Sequence, residues 1–221
     1  MTNRGGQGDA NATPARNRRP NATEPKSIAA AQDATAEAAH RGRPGGGTAL
    51  SGESPTRPGL FTTAATGQLG GTPVGHPTRV GRGEDVNVQR SLELENSGAV
   101  VLAGRGYRVR QNPTSDEVAR ARQDTGDTGD PGSKPDYLLE GRVFDCYSPT
   151  ANKPPRGIWW EVEDKVVARN QTQRVVVNLE DWRGDMSALR KQFADWPIRG
   201  LREVKAITPD GDIVQISIPT Q

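Results

Sequence analysis

Nine of the ten aromatic side chains in this 221-residue chain lie beyond residue 85, and this asymmetry decides how much of it can fold. Residues 1–85 hold 15 Gly, 8 Pro and a single aromatic, Phe61. A segment so poor in aromatic and branched apolar side chains cannot bury enough surface to offset the entropy lost when its backbone is ordered. Residues 1–85 are therefore expected to be a disordered tail, and residues 86–221 one small domain with a modest core.

Charge follows the same division. The tail has 10 basic and 7 acidic residues and the domain 19 and 20, so the positive net charge belongs to the tail, where a solvated linker accounts for it. No run approaches the roughly 18 apolar residues of a membrane helix; the longest, 99–103, has five. The single cysteine, Cys146, excludes an internal disulfide framework and a multi-thiolate zinc site. The N-terminal sequence has no apolar h-region, so no ordinary secretory signal is expected. Both histidines, His40 and His76, fall in the tail, which leaves the domain's chemistry to carboxylates, lysines and arginines.

Within the domain the hydrophobic spacing predicts nine elements in the order αβββαβαββ, an α/β fold with a mixed central sheet flanked by helices. Leu92, Ala99 and Leu102 share one face of a helix over 86–104, with Val88 and Glu95 on the same stripe. A short strand is expected at 107–110, then a mobile polar loop over 114–135 with at most one helical turn at 116–122. Residues 137–139 and 143–147 read as a hairpin around Glu140-Gly141-Arg142. A helix over 157–170 follows Pro154-Pro155, with Ile158, Val162, Lys165 and Arg169 on one face. The Val-rich segment 174–179 reads as a central strand, Asp185 as the N-cap of a helix over 186–195, and 203–208 with 213–218 as a closing hairpin.

Asp145 is the residue least suited to its place. It stands in a strand among Val143, Phe144 and Cys146, where a buried carboxylate is costly unless a metal, a cation or hydrogen-bond donors pair with it. Asp136 enters the preceding strand, while Glu95 and Lys165 lie on the core-facing stripes of two helices. Each has a plainer reading: Asp136 as a turn residue after Pro135, Glu95 as an ordinary helix former, Lys165 as a side chain snorkelling from the core edge. Gathered at one end of a sheet, the four suit metal-assisted phosphodiester hydrolysis. Asp136 and Asp145 would hold a divalent cation, magnesium or zinc. Glu95 would be a third ligand or orient the water, and Lys165 would stabilise the transition state or help deprotonate that water. Arg105, Arg108, Arg110, Arg142, Arg156, Arg169 and Arg174 are candidate phosphate contacts. One of Trp159 and Trp160 must be at least partly exposed and is either a base-stacking platform or ordinary packing. Cys146, with no histidine partner in the domain, reads as a small buried hydrophobe.

The segments Leu94-Glu95-Asn96, Gly106-Tyr107-Arg108-Val109, Gln111-Asn112-Pro113 and the run from Pro135-Asp136 through Glu140-Gly141-Arg142-Val143-Phe144-Asp145-Cys146-Tyr147 resemble the CdiA-type C-terminal toxin domain. So do Lys165-Val166, Gln171, the run from Arg174 to Leu179 and Asp195-Trp196-Pro197-Ile198. The resemblance spans about 88–218. It implies a PD-(D/E)xK-like nuclease fold acting on tRNA, bacterial in origin, delivered into the cytoplasm of neighbouring cells by a non-classical route and neutralised by a cognate immunity protein. It also implies that the catalytic carboxylates are Glu95, Asp136 and Asp145. The residues after Asp145 are Cys146-Tyr147, so the lysine of a literal (D/E)xK is absent, and the resemblance transfers its role to Lys165. The 114–134 connection is longer than the family's usual one. Two other readings stay open: DNA cleavage by the same residues, and a non-catalytic nucleic-acid- or protein-binding module that retains the fold.

Overall fold

The computed structural model describes residues 62–218, so the part of the expected tail before residue 62 lies outside the described residues. The rest of that tail does not match the expectation. Residues 74–75 form a short strand, β1 (Val74–Gly75), that pairs in parallel with β2 (Val109–Gln111). The pairing needs a glycine at 75, because its φ is +94° and a Cβ there would stand 2.2 Å from the Gln111 carbonyl oxygen.

This segment adheres without an apolar face. Gly67 N and Gly70 N donate to the Gly106 and Gly104 carbonyls, both at 2.8 Å. Two threonines clamp carboxylates by donating both backbone N–H and hydroxyl, Thr63 to Glu203 (2.8 and 2.7 Å) and Thr66 to Glu140 (2.9 and 2.5 Å). Polar clamps of this kind leave no hydrophobic periodicity in a sequence, so composition alone places 62–85 in the tail.

The helix α1 (Val86–Gly104) starts at Asp85, whose side chain accepts from Asn87 N, and buries Leu92, Glu95, Ala99 and Leu102. Where a mobile loop was expected there is α2 (Ser115–Thr125), closed by a capping box between Thr114 and Glu117 and stopped by Gly126 at φ +67°. The hairpin β3 (Tyr137–Leu139) and β4 (Arg142–Tyr147) turns through Glu140 and Gly141, both at positive φ, as a two-residue type I′ turn demands.

Pro155 opens α3 (Pro155–Glu163), and the next turn, Asp164–Ala168, is π-helical rather than the continuation of an α-helix. The strand β5 (Arg174–Asn178) is buried throughout and lies between two parallel neighbours, β4 and β6 (Glu203–Ile207). Its doubly covered position accounts for the unbroken Val-Val-Val. The helix α4 (Met186–Asp195), capped by Asp185, precedes β6, and β7 (Ile213–Ile216) closes the hairpin through Gly211 at φ +74°.

The seven strands form one mixed sheet in the order β1 to β7. Ile158, Val162, Val175, Val177, Leu189 and Phe193 make the core between one face and α3 and α4. On the other face, Ala99, Leu102, Tyr137, Phe144, Val176 and Ile207 pack under α1. The result is the α/β domain with a central mixed sheet expected from the sequence, with β1 and α2 added.

Candidate active site

The site forms where β4 changes partners. Up to Phe144 it pairs antiparallel with β3, and from Asp145 onward it pairs parallel with β5. On the side that β3 no longer covers, the Cys146 N–H is buried and needs an acceptor. Two carboxylates supply it: Asp136 Oδ2 at 2.8 Å and Asp145 Oδ1 at 3.0 Å. Continuing the β3–β4 register one step past Tyr137↔Phe144 sets Asp136 opposite Asp145, so the hairpin itself brings the two together. Both are 2% exposed.

Lys165 comes from the π-helical turn, whose bond from Arg169 N to the Asp164 carbonyl spans 2.8 Å. Such turns recur at functional sites because one extra residue re-aims the side chains around it. Lys165 Nζ lies 3.2 Å from Asp145 Oδ2, an ion pair that offsets part of the cost of burying Asp145.

Glu95 approaches from α1 and is 5% exposed. Its backbone carbonyl accepts from the Tyr137 hydroxyl, and the neighbouring Leu94 carbonyl accepts from Asn178 Nδ2 at 2.8 Å. Gly98 permits this approach, since a Cβ there would stand 3.2 Å from the Tyr137 hydroxyl and 3.4 Å from Asn178 Nδ2. One carboxylate oxygen of Glu95, Oε1, accepts from the Thr78 hydroxyl. Burial, and then the negative charges of Asp136 and Glu95, push the Cys146 thiol well above its ordinary range. It is a protonated, buried side chain and no nucleophile. Tyr137 is likewise raised, by burial first and then by Cys146 and Asp136.

The donor set can be compared with a metal's needs. Asp136 and Asp145 present hard carboxylate oxygens on one amide, and three buried carboxylates share the site with one ammonium. That excess of negative charge suits a hard divalent cation of the magnesium class, which takes one or two protein carboxylates and completes its shell with water and substrate phosphate. Zinc also takes carboxylate oxygen but more often has nitrogen or sulfur among its ligands. Among the described residues no three acidic, histidine or cysteine side chains form a metal-binding group. Glu95 enters from α1, with its carboxylate Oε1 accepting from the Thr78 hydroxyl.

The arginines separate into different situations. Arg174 is 1% exposed, with Nη1 2.8 Å from Glu203 and Nε 3.3 Å from Asp127, so it is a buried structural ion and not a phosphate contact. Arg108 pairs with Glu140 at 2.9 Å, and Arg142 follows the same turn, which places both at the opposite end of the hairpin from the aspartates. Arg105 and Arg110 are paired with Asp212 and Glu117. Arg156 is exposed at the start of α3, and Arg169, paired with Asp164 at 2.6 Å, follows the π-helical turn that carries Lys165. Trp159 is partly buried and donates to the Trp196 carbonyl, whereas Trp160 is 44% exposed. Thr78, which joins Asn96 and Glu95, gave no signal in the sequence because a polar side chain in an irregular segment has no period, and Asn96 and Gln111 entered only as members of the family motifs.

A family model described as the contact-dependent growth inhibition CdiA C-terminal domain matches residues 133–213. The chain is 34% identical over 158 residues to the protein named tRNA nuclease CdiA-2 of Burkholderia pseudomallei (strain 1026b), covering 72% of this chain and 4% of that much longer relative. A solved structure, the CdiA-CT/CdiI toxin and immunity complex from Burkholderia pseudomallei, is similar at 35% identity and a TM-score of 0.56, over 66% of this chain and 99% of the matched chain. No helix among the described residues is long and apolar enough to cross a membrane. On the ordered motifs, the fold and these likenesses together, the chain belongs to the family of CdiA C-terminal toxin domains of contact-dependent growth inhibition.

Proposed function

We propose that this domain is a metal-dependent endoribonuclease that cleaves tRNA, acts as a toxin inside neighbouring bacterial cells and is neutralised by a cognate immunity protein. The observation that carries the reading is the cluster of Asp136 and Asp145 on one buried amide with Lys165 against Asp145. The relative named as a tRNA nuclease and the neighbour titled as a toxin and immunity complex support the substrate and the partner.

In this reading Asp136 and Asp145 hold a magnesium-class cation, which when bound polarises the scissile phosphate and acidifies a water. Lys165 places a fixed positive charge where negative charge builds on the phosphate oxygens, in a site largely closed to water. Glu95 orients the attacking water through its carboxylate. Arg169 and Arg156 are the exposed cations that would meet the backbone of the substrate.

The test is to incubate the full chain with total tRNA and with plasmid DNA, each with and without EDTA, beside Asp145→Ala. Cleavage of tRNA that EDTA abolishes and that falls by about 10²–10⁴ in Asp145→Ala is the expected result. Cleavage that survives EDTA would remove the metal from the mechanism. Cleavage of plasmid alone would make the domain a DNA endonuclease, and no cleavage of either with several divalent metals would leave a binding module.

A further inference from the structure

We infer that Thr78, in the segment preceding α1, is a positioning residue that fixes the Glu95 carboxylate for the reaction; this rests on the nuclease reading above. The Thr78 hydroxyl donates to Glu95 Oε1. The same oxygen accepts from Asn112 Nδ2 at 2.8 Å, so its lone pair is engaged and its proton is directed at the carboxylate. The backbone of Thr78 is held just as firmly. Its N–H donates to Asn96 Oδ1 at 2.7 Å and its carbonyl accepts from Asn96 Nδ2 at 2.9 Å. Gln111 Nε2 also donates to Asn96 Oδ1, at 2.5 Å, and Asn112 Nδ2 to the His76 carbonyl at 2.8 Å.

This arrangement fits positioning better than anchoring. Asn96 alone pairs with both backbone groups of Thr78 and would hold the segment without the hydroxyl. The hydroxyl is spent on the one catalytic carboxylate that comes from a helix and not from the hairpin. The donor that Thr78 supplies to Glu95 is neutral, so it fixes the direction of one carboxylate oxygen without adding charge. A carboxylate on a flexible stem needs such a partner to hold a water within reach of a phosphorus. The 74–78 segment thereby has a role in catalysis besides covering the edge of β2.

The experiment compares the full chain with T78V, T78S, E95Q and T78V/E95Q in tRNA cleavage, with thermal midpoints and crystal structures of the wild type and T78V. T78V should lower kcat about tenfold with KM unchanged, the loss expected for one hydrogen bond to a charged group. T78S should restore it, and T78V should cause no further loss in the E95Q background, since the two act as one unit. The crystal structures should show Glu95 on Thr78 in the wild type and displaced in T78V. Wild-type kcat in T78V, an equal loss in the E95Q background, or failure of T78S to restore would overturn the inference. If the wild type cleaves no nucleic acid, the nuclease reading fails on its own, and the crystal structures still decide the clamp: an unmoved Glu95 in T78V overturns it.

Discussion

Asp145 and Arg174 show what a single residue discloses. The carboxylate of Asp145 stood out because its sequence neighbours are apolar, and the structure gives it the kind of partners its burial requires, the Cys146 amide and Lys165. Arg174 also begins an apolar strand, yet there the sequence misled. Its partners Asp127 and Glu203 are 47 and 29 residues away, and only the folded sheet brings them to it. Lys205 joins the same buried group, 3.0 Å from Glu203 with its ammonium 5.1 Å from the centre of the Tyr107 ring. Removing one member of a buried network strands the others, so Arg174→Ala should destabilise the domain by about 3–5 kcal/mol. Urea unfolding checks this: a clear loss of stability is expected, whereas an unchanged unfolding midpoint with weakened tRNA binding would restore Arg174 as a phosphate contact.

Elements with an apolar face were legible, and those held by polar groups were not. The α1 and α4 boundaries follow from a stripe and a cap, and β5 from three consecutive valines. The helix α2 buries only Val118 and Ala121, too few to set a period against its arginines and aspartates. Its start depends instead on Thr114 and Glu117, which satisfy each other's backbone N–H groups. Thr114→Ala should therefore cost about 1 kcal/mol, read as a lower thermal midpoint with α2 fraying first in amide hydrogen exchange. The π-helical turn was invisible for a different reason. Residues 157–170 have ordinary helical spacing, and nothing in the spacing shows that one turn widens at Asp164–Ala168 to bring Lys165 to Asp145.

At the scale of the whole described domain, residues 62–78 bind the sheet at both of its ends. Thr66 and Arg108 together grip Glu140 at the β3–β4 turn. Burial works to raise the Glu140 pKa, but the hydrogen bonds from Thr66 and Arg108 outweigh it and hold the carboxyl at about 2. A depressed folded pKa contributes stability that is present above the unfolded value near 4.5 and lost as the pH falls through the folded one. The domain should thus lose stability between about pH 5 and pH 2, and Glu140→Gln should lessen that loss when unfolding is followed by circular dichroism across the range. An acid profile identical in the variant would show that the clamp contributes nothing.

The sequence by itself determined the α/β class, the central strand and a hairpin that carries Asp136 and Asp145, and it nominated the four residues of the candidate site. All of these follow from local period, turn chemistry or a charge out of place, which neighbouring residues reveal. Only the tertiary structure decided that the hairpin register sets Asp136 opposite Asp145, that β4 changes partners at Asp145, that Thr78 donates to Glu95, that Arg174 is buried, and that residues 62–85 belong with the domain. Each of these depends on a polar contact between distant residues, and hydrogen bonds and ion pairs impose no repeat along the chain from which they could be read.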